Sequence, residues 1–244
     1  MSDRAENSPY RTKPAGKSMH PQIVRDLGMR IVAGEIAPGN KLPAEAMLLA
    51  TYQVSRSVLR EAVRVLVAKG LVLSRQRAGA IVRPRAEWHL LDPDVLYWMI
   101  QVRPAPEFVS TLMGLRRVFE PGAAAMAAQA ATDEQLVAIA QAYEGMAGAR
   151  DGDAMLEPDL AFHRRIAEAT GNDLMAYIGT MMSLALRESI KLSNRLPDTH
   201  VLSLPRHKAI LVALQNRDAT VAHQATLLQL EATQLDLSAA LARD

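Results

Sequence analysis

The sequence predicts a mostly α protein: a small N-terminal unit of three helices closed by a two-stranded hairpin, joined to an all-α antiparallel helical bundle. Three observations predict it. Apolar residues recur at helical spacing along most of the chain, two short strand-like runs flank one basic turn, and charge is unevenly divided. Residues 1–85 carry 15 Lys and Arg against 6 Asp and Glu, whereas residues 86–244 carry 13 against 20. A basic unit followed by an acidic one predicts that the first meets a polyanion, nucleic acid foremost, and that the second does something else.

Composition narrows the chemistry. With 244 residues, of which 49% are hydrophobic, the chain can bury a sizeable core. It has no cysteine, which excludes disulfides, a thiolate nucleophile, iron–sulfur clusters and Cys-type zinc sites. Any metal must be held by His, Asp or Glu. No run of eighteen apolar residues occurs and Met1 to Lys17 is polar, so no membrane partner and a cytoplasmic location are expected.

Residues 1–20 read as a flexible arm, with Pro9, Pro14 and Gly16 among scattered charges. Ile23, Leu27, Ile31 and Val32 then mark a helix over about 22–33, stopped by Gly34. Ile36 to Pro43 is a Pro- and Gly-rich turn, and Pro43 suits the first position of a short second helix carrying Leu48 and Leu49. Ser55 can cap a third helix whose Val58, Leu59, Ala62, Val63, Leu66 and Val67 face inward, leaving Arg56, Ser57, Arg60 and Arg64 outside. Leu71–Arg75 and Ala80–Arg83 read as two strands around the basic tip 76–79.

This is the pattern of a winged helix-turn-helix over 21–85. Arg56 and Arg60, at i and i+4 in the head of the third helix, project from one face and suit bidentate pairing with guanine O6 and N7. Ser55, Ser57 and the helix-terminal N–H groups suit phosphates. Lys41-Leu-Pro-Ala-Glu45, Val54-Ser-Arg-Ser-Val-Leu-Arg-Glu-Ala62, Leu66-Val-Ala-Lys-Gly-Leu-Val72 and Gly79-Ala-Ile-Val82 resemble the DNA-binding domain of the GntR family of bacterial transcription regulators. The resemblance implies DNA contacts by Ser55, Arg56, Ser57, Arg60, Arg77 and Gly79. Two positions depart from the family pattern. Ala46 stands where an Arg is frequent, and the wing reads Arg77-Ala78-Gly79 instead of Gly-Arg-Gly.

Residues 86–103 read as a linker with a short helix, opened by Asp92-Pro93-Asp94, with Trp88 and Trp98 as packing anchors between the domains. From 104 to 244 the periodicity predicts helices over about 107–130, 133–149, 155–170, 173–195, 204–216 and 219–241. Thr132 with Gln135 forms a capping box and Asp218 a further cap. Such a bundle can enclose a cavity between facing helices.

Asp159 and His163 stand one helical turn apart on one face, where a carboxylate and an imidazole can share a cation, and His207 at the start of a later helix could supply a third ligand. The same spacing also suits an exposed helix pair or a core histidine. Leu115-Arg-Arg-Val-Phe-Glu-Pro121, Asp159-Leu-Ala-Phe-His163 and Arg206-His-Lys-Ala-Ile210 resemble the FCD ligand-binding domain of the FadR subfamily. The resemblance implies a divalent metal on Asp159, His163 and His207, zinc first with manganese or nickel as alternatives, and a carboxylate effector on that metal. A fourth family His falls at Gln229, while His223 lies on another face. Arg116 has two readings, a fork for the effector carboxylate or an i, i+4 ion pair with Glu120.

Across the whole chain the likeness runs to the galactonate-responsive repressors of this subfamily. It implies a homodimeric repressor bound to a palindromic operator and released by a sugar acid. A metal-dependent hydrolase and a sequence-nonspecific DNA-binding protein with a purely dimerising helical half are the alternatives.

Overall fold

A computed structural model describes residues 19–75, 79–102 and 105–242. The expected arm lies almost wholly outside the described residues, as does Arg77 at the wing tip. The chain divides into two compact units, Met1–His89 and Leu90–Asp244.

In the first unit, α1 (Met19–Val32), α2 (Glu45–Tyr52) and α3 (Arg56–Ala68) precede strands β1 (Val72–Arg75) and β2 (Gly79–Val82). Ile23, Leu27 and Ile31 recur on one face of α1, and α1 packs on α3, whose buried face is Leu59, Ala62 and Leu66. Val58, Val63 and Val67 are half-buried, as their positions at the edge of that face require. The strands pair antiparallel, Val72 opposite Val82 and Arg75 opposite Gly79. Gly70 turns the chain from α3 into β1 with φ +73, and an added Cβ would stand 2.7 Å from the Glu87 carbonyl oxygen, so glycine is required there twice over.

One expectation fails in this unit. Pro43 is not the first residue of α2, which begins at Glu45 with Ala44 as its N-cap. The segment before it is held extended along the wing: the Leu42 amide donates to the Ala80 carbonyl and the Val82 amide to the Asn40 carbonyl, at 2.8 and 2.9 Å. Helical dihedrals at Pro43 would break that edge.

The second unit consists of α4 (Pro93–Val102), α5 (Ala105–Ala130), α6 (Asp133–Ala147), α7 (Gly152–Glu168), α8 (Asp173–Ser193), α9 (Thr199–Gln215) and α10 (Ala219–Leu241). The caps follow the sequence. Asp92 Oδ1 accepts the Asp94 and Val95 amides, Thr132 and Gln135 complete their capping box, and Asp218 accepts from Val221. Helix α5 runs along α10, α7 lies against both α6 and α8, and α4 packs on α8. The main core is built on Ala124, Ala127, Ala128, Phe162, Leu211 and Leu214, where alanines let helices approach and larger side chains fill the gaps. At the α7–α8 crossing a Cβ on Gly179 would collide with that of Ala167. Trp88 and Trp98 are both buried, and Trp88 Nε1 donates to the Arg83 carbonyl.

Helix α9 departs from expectation, starting at Thr199 instead of about 204 and carrying Pro205 inside it. His207 therefore lies deep in the helix, not in its first turn. Helix α7 likewise begins at Gly152, capped by Asp151, with Pro158 inside. No described helix is long and apolar enough to cross a membrane.

Candidate functional site

Two sets of side chains carry chemistry, one in each unit. In the first, the head of α3 is exposed. Ser55 is its N-cap, its Oγ accepting from the Val58 amide and lying 2.8 Å from Ser57 Oγ. Arg56, Ser57 and Arg60 are exposed, and Arg56 makes only a 3.5 Å contact with Glu45, a surface pair that solvent screens. Gly79 is exposed with φ +82 and brings the wing back into β2. A helix N-terminus with free N–H groups, two serines and two guanidiniums can hold phosphates and read base edges.

In the second unit, α7 and α9 bring Asp159, His163 and His207 together, as spacing alone did not settle. Asp159 Oδ1 is 3.2 Å from His163 Nε2 and 3.7 Å from His207 Nε2, and the two Nε2 atoms are 3.4 Å apart. Ligand atoms around a tetrahedral ion at ~2.1 Å stand about 3.4 Å from one another, so this triangle has the size a small divalent cation needs.

The remaining ring nitrogens fix which lone pairs face the triangle. His207 Nδ1 lies 2.9 Å from the Ser203 carbonyl oxygen, which can only accept, so Nδ1 carries the proton and neutral Nε2 is left as a donor to a metal. His163 Nδ1 lies 3.2 Å from Glu120 Oε2, a carboxylate behind a ligand histidine. Asp159 Oδ1 is buried, with the His163 ring as its nearest ion-pair partner. Two imidazole nitrogens with one carboxylate oxygen form a donor set suited to zinc, nickel or manganese.

Without a metal the same contacts hold a proton on His163. Burial pushes Glu120 up, but the Arg116 guanidinium and His163 outweigh it and hold the carboxyl at about 2. Burial pushes His163 down, yet the Glu120 charge and the contacts with Asp159 and Glu120 lift it to about 9. Burial drives His207 down to about 4, so it is neutral at pH 7. Asp159 is held below its ordinary value in spite of burial, by His163 and His207.

Arg116, 2% exposed, makes the ion pair of its second reading, with Nε 2.5 Å from Glu120 Oε1 and Nη2 3.3 Å from Oε2. It also lines the cavity beside the triangle, together with Ser189, Ser193, Thr199, Gln229 and Thr233. Gln229 is buried on the same cavity, whereas His223 is exposed on α10. Ser189 and the contact of Glu120 with His163 were missed in the sequence. The Glu120 role had a signal in the Arg116/Glu120 spacing; Ser189 had none.

Both units match known families. A model described as bacterial regulatory proteins, gntR family, matches residues 20–82, and one described as FCD domain matches residues 111–232. The galactonate operon transcriptional repressor of Escherichia coli is 34% identical over 212 residues, covering 84% of this chain and 91% of that protein. The chain belongs to the GntR family and carries an FCD domain. This GntR chain is also 30% identical to the transcriptional repressor NanR of Klebsiella aerogenes over 223 residues, covering 90% of this chain and 85% of that one. Among solved structures, a GntR protein of Streptococcus agalactiae aligns with TM-score 0.50 at 25% identity over 87% of this chain and 97% of that one. Lar of Listeria monocytogenes aligns with TM-score 0.62 at 18% identity over 92% and 99%, a likeness of fold. As a GntR member this chain is a DNA-binding transcription regulator, which answers the hydrolase alternative.

Proposed function

We propose that this regulator is a cytoplasmic homodimer that represses a sugar-acid catabolic operon and leaves its palindromic operator when a carboxylate effector binds in the FCD cavity. The observation that carries the sensing half is the Asp159–His163–His207 triangle, its three atoms at metal-ligand spacing and Glu120 and the Ser203 carbonyl orienting the two rings from behind. A divalent cation, zinc foremost with manganese or nickel as alternatives, would be held by those three side chains and would supply a Lewis-acid seat for a carboxylate. The sugar acid as effector is supported by likeness to the galactonate operon repressor. Arg116 already neutralises Glu120, and its place on the cavity wall lets a remaining guanidinium N–H meet an incoming carboxylate.

DNA reading rests on Ser55, Arg56, Ser57, Arg60 and the wing residues Arg77 and Gly79. One winged unit offers few base contacts, so a two-fold dimer on a palindrome supplies the rest. Coupling follows from space. The cavity encloses about 30 Å³, room for water or an ion and not for a six-carbon acid. Admission of the acid therefore displaces wall residues, and the first turns of α9 give most readily: Thr199 and Ser203 line the cavity, Asp198 sits at φ 60 without a side-chain cap bond, and Pro205 has no N–H to return to Val201. The test is selection of bound sequences from random duplex DNA, followed by titration of the selected complex with D-galactonate and zinc. A recovered palindrome released by the acid is expected; binding without sequence preference, or tighter binding with the acid, overturns the reading.

A further inference from the structure

Three buried side-chain polar atoms among the described residues have no hydrogen-bond partner: Asp159 Oδ1, Gln229 Oε1 and Ser189 Oγ. All three residues line the one cavity. The triangle accounts for the first. The other two stand on different helices, α10 and α8, with Gln229 4% and Ser189 1% exposed. A buried polar group gains free energy when it finds a partner, so two that have none within the protein and border a ligand seat are available to the ligand.

The chemistry of each atom says what it asks for. Gln229 donates Nε2 to Thr233 Oγ1 at 3.1 Å, which leaves Oε1 as an acceptor lacking a donor. Ser189 Oγ can donate or accept. A hydroxyl satisfies both, since it donates to the amide oxygen and exchanges either way with the serine. A carboxylate oxygen would be repelled by Gln229 Oε1, and a methylene would leave both unmet.

We propose that Gln229 and Ser189 are specificity-determining residues that read hydroxyl groups on the effector beyond its metal-held end, so that the cavity selects a polyhydroxylated acid over a short hydroxy acid or an alkyl acid. On this reading Gln229 is not a weakened metal ligand; it replaces a cation-binding group by a hydroxyl acceptor. The inference rests on the proposed metal-and-carboxylate site and refines it.

The test uses full-length, zinc-loaded protein and calorimetric titration with D-galactonate, D-gluconate and glycolate, the last sharing the carboxylate and α-hydroxyl with no further hydroxyls. The variants are Gln229→Met and Ser189→Ala, close in shape and lacking the polar atom. Each is expected to weaken the tighter-binding aldonate by about tenfold, the worth of a good hydrogen bond, with zinc and glycolate affinities unchanged. For Ser189→Ala the unliganded thermal midpoint should hold or rise, because that change removes only an unmet polar atom; a merely structural role would lower it. Equal weakening of both acids, loss of zinc affinity in Gln229→Met, or unchanged aldonate affinity overturns the inference. Wild-type protein that binds zinc and glycolate but neither aldonate overturns it too, while failure to bind zinc or any acid before substitution overturns the site reading on which it stands.

Discussion

His163 Nδ1 stands 3.2 Å from Glu120 Oε2, and that contact turns the other face of the imidazole toward Asp159 and His207. Glu120 is in turn gripped by Arg116. A chain of three side chains, Arg116, Glu120 and His163, thus runs from a cation on α5 to the proposed metal seat.

Glu120→Gln should therefore do two separable things. Loss of the carboxylate behind a metal-binding His weakens metal affinity by about 10- to 100-fold. It also leaves the buried Arg116 without its counter-charge, which costs about 3 kcal/mol of stability. Competitive zinc titration reads the first and urea unfolding the second. Unchanged zinc affinity in a destabilised variant would reduce Glu120 to a partner of Arg116.

Metal binding should release one proton per site near pH 7. Metal-free His163 titrates at about 9, so it is charged at neutral pH and must lose its proton to become a ligand, whereas His207, at about 4, is already neutral. Calorimetry in buffers of different ionisation enthalpy counts the protons; release should fade above pH 9, and two protons at pH 7 would contradict the assignment. The linked stability has a sign as well. His163 is raised in the fold, so its contribution to the metal-free protein is complete below its ordinary value of 6.5 and is lost as pH rises through about 9.

At the DNA end, Arg60→Ala and Arg56→Ala should each cost about 1–3 kcal/mol on the selected operator and much less on scrambled DNA. Fluorescence anisotropy at fixed salt makes the comparison. Equal losses on both sequences would restore the nonspecific alternative.

Gly70→Ala should destabilise the winged unit by more than about 1 kcal/mol, because φ is +73 and the added methyl meets the Glu87 carbonyl. Thermal unfolding monitored through DNA binding checks it. Ser55→Ala, which removes a cap without adding a clash, should cost about 1 kcal/mol.

Much of the fold was legible in the sequence. Helices announced by local signals came out where those signals stood: Ser55 opens α3, Asp92 precedes α4, Thr132 and Gln135 open α6, and Asp218 opens α10. Boundaries set by distant contacts did not. Nothing local says that residues 39–42 lie along β2, which keeps Pro43 out of α2, and the prolines inside α7 and α9 hid those helices' first turns. Asp159 and His163 share a face by spacing, but their meeting with His207 depends on how α7 and α9 pack. The Ser203 carbonyl that sets the His207 tautomer carries no side-chain signal at all.

Everything proposed for the second unit turns on one divalent ion, held by Asp159, His163 and His207, as the seat of the effector. Calorimetric titration of metal-stripped protein with zinc, then D-galactonate, alongside His163→Ala, measures this directly. One zinc per chain is expected, with acid binding only after zinc, and neither in the variant. Zinc binding that survives in His163→Ala, or acid binding to metal-stripped protein, would contradict it.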